Sequence, residues 1–275
     1  MLGAVYMNIG VFGGDLRQVH LFELLKKQYE HVDLLYNRTL QKNCCANYDV
    51  ILLPLPVSKD HVHLFAPYAQ GPIVLEHLFQ QHSAARFLGG CISNTVREIA
   101  ARHNVALEDY YQDEALLQKN AVLTADGALK LLEGALQMKP AVLVIGYGRI
   151  GKALCSRLQS GHIPFCVTAR KEKDFKSMEA LGYQGYETGK IKDIINAYSI
   201  LINTVPYPVL GETELEQCKA DCQILDLASA PYGTDFKYCD KRHIAYNIAP
   251  GIPGKYYPAR AAEAIFETVE QFLKK

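Results

Sequence analysis

The sequence has no excess of charge of either sign: its 275 residues carry 29 Lys and Arg against 29 Asp and Glu. No basic stripe stands out, so a nucleic-acid partner is not expected. An anionic ligand has to be held by local groups rather than by a net field. No apolar run approaches the length of a membrane span, so no membrane segment is expected either. The start, MLGAVYMNIGVFGGDLRQ, lacks the basic run and small-residue cleavage site of a signal peptide and reads as a first strand. Internal repeats, low-complexity tracts and heptads are missing. The eight cysteines, Cys44, Cys45, Cys91, Cys155, Cys166, Cys218, Cys222 and Cys239, contain no C-x-x-C pair and no repeated spacing. They read as reduced, mostly buried thiols of a cytoplasmic protein, and no metal site is expected.

What is present is an alternation of short apolar runs with helix-length segments. NIGVF at 8–12, VDLLY at 32–36, DVILLPLPV at 49–57, GPIVLE at 71–76, RFLGGC at 86–91 and VALEDYY at 105–111 read as strands. Pro54 marks the end of the third, because proline cannot continue a central ladder. Residues 16–29 read as a helix with Leu16, Val19, Phe22 and Leu25 near one face. Residues 93–104 read as another, capped by Ser93 or Asn94. A linking helix is predicted over 124–138 with Thr124 as its N-cap. Beyond it, strands are predicted at 141–145, 163–169, 199–205, 222–228 and 243–250. Helices follow the glycine turn and lie near 173–181, 190–198 and 259–274. The β/α alternation in both halves argues for parallel sheets covered by helices.

AVLVIGYGRIGKAL at 141–154 carries the most specific signal. The apolar strand runs into Gly146, Gly148, Arg149, Ile150 and Gly151 and then into a helix. This is the context in which G-x-G-x-x-G binds a dinucleotide. Gly146 permits the turn, Gly148 leaves room for the pyrophosphate, and Gly151 lets the helix pack on the strand. The helix N-terminus then offers N–H donors to the phosphates. The second strand ends FCVTARKEK, with Thr168, Ala169, Arg170 and Lys171 where an NAD enzyme places an acid. A guanidinium there can hold a 2′-phosphate bidentately, so NADP is predicted, with Arg170 the main contact and Thr168 or Lys171 assisting. Asn203, Thr204, Val205 and Pro206, and then Asp226, Ala228 and Ser229, follow the next two strands and are expected to line the same crevice.

GVFGGDLRQ at 10–18 is a second strand–loop–helix start without the three-glycine spacing. The backbone around Gly13, Gly14 and Asp15, with Arg17 beside it, reads as a carboxylate receptor. FGGDLRQ at 12–18, GCISN at 90–94, VIGYGRIGKAL at 144–154, INTVP at 202–206, LDLASAPYGTDF at 225–236 and APGIPGKYYPARAAE at 249–263 occur in that order. Together they resemble the family of dipicolinate synthase A subunits from spore-forming bacteria. NAVLTADGAL at 120–129 departs from the family pattern, which carries Pro where Leu123 stands and Glu where Asp126 stands.

The resemblance implies a substrate-side domain like that of 2-hydroxyacid dehydrogenases, followed by a Rossmann domain. The predicted fold class is therefore α/β, with two doubly wound parallel-sheet domains. Residues 1–119 form a flavodoxin-like domain and 120–258 the Rossmann NAD(P)-binding domain, with 259–275 a terminal helix placed to pack back on the first. It further implies NADP-dependent oxidation of dihydrodipicolinate to dipicolinate in the mother-cell cytoplasm during sporulation, together with a second polypeptide, the dipicolinate synthase B subunit. A homo-oligomer is expected.

For a small dicarboxylate substrate the candidate contacts are Gly14, Arg17, Ser93, Asn94 and Gly251. No constellation names a general base; Asp15, Ser93 and Ser229 are the candidates for moving a proton. His61 and His63 read best as surface residues after LPVSKD. Two other functions remain open at this point: a nucleotide-binding component without independent catalysis, and an NADP-dependent dehydrogenase of another small carboxylic acid.

Overall fold

The computed structural model describes residues 7–37 and 47–274, so Cys44 and Cys45 lie outside the described residues. The chain divides into two compact units, residues 1–120 with 257–275 and residues 121–256.

Among the described residues the first unit holds five strands: β1 (Asn8–Phe12), β2 (His31–Leu35), β3 (Val50–Leu52), β4 (Arg86–Gly89) and β5 (Leu107–Asp109). All pair parallel in the order β2-β1-β3-β4-β5, which is the flavodoxin-like order. Alternate side chains leave the sheet on opposite faces. Ile9, Val11, Val50, Leu52 and Leu88 join one apolar cluster, while Phe12, Ile51, Leu53 and Phe87 join the other. Both faces are covered, which is why these strands read as near-continuous apolar runs. The first face is closed by Leu21, Phe22 and Leu25 of the helix Leu16–Leu25 and by Ala262, Ile265 and Val269 of the terminal helix Pro258–Leu273. The second is closed by the helices Leu75–Gln81 and Asn94–Arg102. Buried Gln18 donates its amide to the carbonyls of Phe12 at 3.3 Å and Leu52 at 3.2 Å. One side chain thereby ties the ends of β1 and β3.

The second unit holds six strands: β6 (Val142–Ile145), β7 (Phe165–Ala169), β8 (Gly185–Glu187), β9 (Ile200–Asn203), β10 (Gln223–Asp226) and β11 (Ala245–Ile248). Their order is β11-β10-β9-β6-β7-β8, all parallel. Counted within the unit this is the Rossmann order, with the strand order reversing between β6 and β9.

Two sequence expectations are corrected. Residues 71–76 are not a sheet strand: Val74 makes only an isolated bridge to His63, and Leu75 opens a helix. Pro72 has no N–H for a ladder, and Leu75, Leu78 and Phe79 share one buried helical face. The linking helix does not begin at Thr124. It runs Glu114–Leu131, and Asp113 accepts from the Leu116 N–H at 2.9 Å, so the cap is the earlier acid. The helix continues through Leu123 and Asp126, the two departures from the family pattern, and Asp126 pairs with Arg157 at 2.7 Å. Past β11, Ile252–Tyr256 forms a short helix. Of the described cysteines, Cys155, Cys166, Cys218, Cys222 and Cys239 are buried and Cys91 is exposed. Burial pushes the Cys155 thiol up to about 12, which keeps it protonated and inert.

Candidate functional site

β6 ends at Ile145, and the chain turns through Gly146 at φ 96. A Cβ there would meet the Thr204 hydroxyl and a Val205 methyl at 2.7 Å. A Cβ on Gly151 would lie 2.0 Å from the Gly146 carbonyl oxygen. At Gly148 no atom stands within 4 Å of an added Cβ, so that glycine faces open space. Gly148 is the N-cap of the helix Arg149–Ser160 and contributes no side-chain cap. The Ile150 and Gly151 N–H groups in the first turn thus have no side-chain cap, the arrangement that suits an anionic acceptor. The three glycines do different work: two are required by neighbouring protein atoms, and the middle one leaves a void.

A cleft of about 370 Å³ opens over this turn. Gly146, Gly148, Thr204, Val205 and Pro206 line it, as do Arg170 and Lys171 past the end of β7. Sequence reasoning missed several of its residues: Tyr147, Lys152, Lys173, Asp174 and Thr188. The Lys152 ammonium lies 5.1 Å from the Tyr147 ring centroid. Burial pushes the Tyr147 phenol up, and Cys155 and Asp174 add to the rise. The cleft wall therefore presents four cations and one acid. A second depression shares Ala169, Arg170 and Thr188 and continues to Phe175 and Glu187, so Arg170 borders both.

Other expected contacts are placed elsewhere. Thr168 is fully buried, and its hydroxyl accepts from the Gly146 N–H at 3.3 Å. It supports the turn and is corrected as a ligand contact. Asn203 and Asp226 are also fully buried. The Asp226 carboxylate accepts from Asn203 Nδ2 at 3.0 Å, Ala228 N at 3.0 Å, Gly233 N at 3.2 Å and Thr234 Oγ1 at 2.8 Å. Both residues fix the loops after β9 and β10 rather than face the crevice. Ala228 is buried, while Ser229, Arg149 and Gly251 are exposed and Ile150 is half-buried.

In the first unit, the carboxyl edge of the sheet carries the remaining candidates. The N–H groups of Gly13 and Gly14 are engaged by the carbonyls of Leu35 at 2.8 Å and Phe65 at 2.7 Å. They are therefore corrected as free carboxylate donors. Asp15 caps the helix Leu16–Leu25 and takes Arg17 bidentately, at 2.9 and 2.8 Å. Arg17 also donates to the Leu55 carbonyl. Asp15, held in this way, is not placed to move a proton. Ser93 caps the helix Asn94–Arg102 through the Val96 N–H at 3.3 Å, and the exposed Asn94 follows it. Buried Asp109 holds the turn before Ser93, accepting from Cys91 N at 3.1 Å, Ile92 N at 3.0 Å and Arg97 Nη2 at 3.2 Å.

Ser93 has a second partner that sequence separation concealed: His61 Nδ1 lies 3.0 Å from its Oγ, 32 residues away. His63, which reads alike in sequence, is paired instead with Asp60 at 2.7 Å.

A flavodoxin-like unit joined to a Rossmann unit is the architecture of the two-domain dehydrogenases. The D-isomer specific 2-hydroxyacid dehydrogenase of Lactobacillus delbrueckii ssp. bulgaricus, solved as an NAD complexed form, shares this fold. Its TM-score is 0.57 at 12% identity, covering 97% of this chain and 96% of that one. The chain is also similar to the A subunit of dipicolinate synthase. Residues 8–111 match the family described as the N-terminal domain of the dipicolinate synthase A subunit. The whole chain is 25% identical over 287 aligned positions to the dipicolinate synthase A subunit of Bacillus subtilis (strain 168), covering 97% of this chain and 96% of its relative. The crystal structure of the dipicolinate synthase A subunit from Bacillus halodurans superposes with TM-score 0.89 at 22% identity, covering 99% of this chain and 100% of the other.

Proposed function

We propose that this chain is an NADP-dependent oxidoreductase that converts dihydrodipicolinate to pyridine-2,6-dicarboxylate, acting with a dipicolinate synthase B subunit in the cytoplasm of a sporulating cell. The observation that carries the cofactor reading is the cationic wall of the cleft past β7. Arg170 and Lys171 follow directly on β7, with Lys173 close behind, and outnumber the one acid of the wall, Asp174. The residues fit a dinucleotide: the void at Gly148 admits a pyrophosphate, the uncapped helix Arg149–Ser160 supplies N–H donors, and Arg170 supplies a fork for a 2′-phosphate. When bound, the nicotinamide supplies the hydride acceptor of the oxidation. The protein orients the ring and excludes water.

Titration of the chain with NADPH and NADH, followed by nicotinamide fluorescence, tests this reading. Tighter NADPH binding is the expected result. Arg170→Ala is expected to weaken NADPH about tenfold to a hundredfold, as for loss of a charge-assisted pair, and to leave NADH nearly unchanged. A change of about twofold or less for NADPH would remove Arg170 from the site.

Arg17 has a narrower task than a substrate receptor, because its fork is committed to Asp15 and Leu55. Arg17→Ala is expected to lower the thermal midpoint, by about 1–3 kcal/mol of stability, with NADPH affinity unchanged. An unchanged midpoint combined with a raised substrate KM would restore Arg17 as a carboxylate contact.

A further inference from the structure

Among the described residues, eight non-glycine residues have positive φ. Asn104, Lys139, His162 and His243 lie at or just past helix C-termini, where left-handed residues close helices. Tyr36, Cys91, Tyr232 and His61, the last at φ 67, close no helix, and His61 is the imidazole among them. It sits in the loop after β3, and that loop is tightly braced. Val57 N–H donates to the Gly90 carbonyl at 2.9 Å, Phe65 N–H to Val57 at 2.8 Å, and Leu75 N–H to Val62 at 3.0 Å. Asp60 Oδ1 accepts from Val62 N at 3.0 Å and His63 N at 2.8 Å. The surrounding structure thus holds an exposed histidine in a conformation it would not adopt freely, a form of strain that gathers where a side chain must be aimed.

Its ring is aimed as well. Nδ1 meets Ser93 Oγ, which already accepts the Val96 N–H as a helix cap. An oxygen with that commitment still has a lone pair for an Nδ1–H donor. The tautomer with Nδ1 protonated leaves the lone pair on Nε2. Because Nδ1–H is also present in the imidazolium, the bond to Ser93 holds the ring through a protonation cycle. The loops bearing His61 and Ser93 both leave the carboxyl edge of the sheet, after β3 and β4, which is where open α/β sheets place ligands.

We propose that His61 is the proton acceptor of the oxidation, with Ser93 as its positioning residue. This rests on the function proposed above. Aromatisation of a dihydropyridine dicarboxylate breaks two C–H bonds. One would leave its electron pair with the hydride, for which an oxidised nicotinamide, when bound, would be the acceptor. The other leaves its electron pair in the ring as the proton passes to His61 Nε2 and then to water. Reduced nucleotide, dipicolinate and one proton balance the reaction.

The test compares the wild-type full chain with His61→Gly and Ser93→Gly, using dihydrodipicolinate and NADP⁺. Glycine suits the left-handed backbone at 61 and is accepted at N-caps, so both variants are expected to fold. For His61→Gly we expect kcat to fall about a hundredfold or more, within the range of lost acid–base catalysis. Its melting temperature, measured without nucleotide, should be equal to or above wild type, and added imidazole should restore part of kcat. Ser93→Gly should lower kcat with KM unchanged. A kcat for His61→Gly within about threefold of wild type at saturating substrate, or a melting temperature that falls in step with activity, overturns the proposal. Absence of turnover by the wild-type chain, both alone and with its B subunit present, overturns the proposed function and the histidine assignment together. Wild-type turnover that His61→Gly retains overturns the histidine alone.

Discussion

Gly151→Ala is expected to abolish nucleotide binding. The added Cβ falls 2.0 Å from the Gly146 carbonyl oxygen, a backbone atom at the turn itself. No rotamer change relieves that contact. Either the helix Arg149–Ser160 lifts from β6 or the glycine turn reshapes, and both displace the first-turn N–H groups from the place a pyrophosphate would occupy. An overpacked contact of this kind costs about 1–3 kcal/mol of stability. The loss in binding should be larger than that of Arg170→Ala, about a hundredfold or more in NADPH affinity. Gly148→Ala is the informative companion, since its Cβ meets nothing within 4 Å and its φ of −77 suits alanine. That variant should melt like the wild type and still bind NADPH poorly, because the methyl group would occupy ligand space. Wild-type affinity in Gly151→Ala would mean that the turn is not the phosphate site.

Asp226→Ala is expected to have the largest effect on stability. It removes a fully buried carboxylate and leaves four donors facing an empty space, two from side chains and two from the backbone. Losses of this kind amount to about 3–5 kcal/mol. The thermal midpoint should fall by roughly 10 °C. The loop 228–234 should also become susceptible to proteolysis, because its anchors are gone. Asp226→Asn, which keeps the shape but turns an amide toward donors, should fall between alanine and wild type. A midpoint within about 2 °C of wild type for the alanine variant would show that the network contributes little.

The glycine loop was legible because its physics is local. Strand, turn, donor-rich helix start and absent acid all lie within about thirty residues, the length of one βαβ unit, and the structure brings Arg170, Lys171, Thr204, Val205 and Pro206 to one cleft. The parallel sheets were also legible from β/α alternation, because strands buried on both faces read as near-continuous apolar runs, but the edge strand Gly185–Glu187 has no such run and was missed. What could not be read depended on which polar groups find one another across the sheet. Asn203 and Asp226 look like crevice residues from their place at the ends of β9 and β10, yet they bond to each other and to the loops that follow them. Thr168 looks like a ribose contact and instead supports the turn. His61 and His63 are indistinguishable in DHVH, and only the fold sends one to Asp60 and the other to Ser93. The helix start at Asp113 was readable as an acidic N-cap, but Thr124 offered a competing cap nearer the apolar run.

The terminal helix Pro258–Leu273 closes a face of the first unit, although the whole second unit is encoded before it. On the ribosome this reverses the usual order, in which the N-terminal domain finishes first. A nascent chain halted after residue 256 contains every strand of both sheets. Leu21, Phe22 and Leu25 then still wait for Ala262, Ile265 and Val269. The segment synthesised first matures last, and a message truncated just before this helix would yield a first unit with an open core.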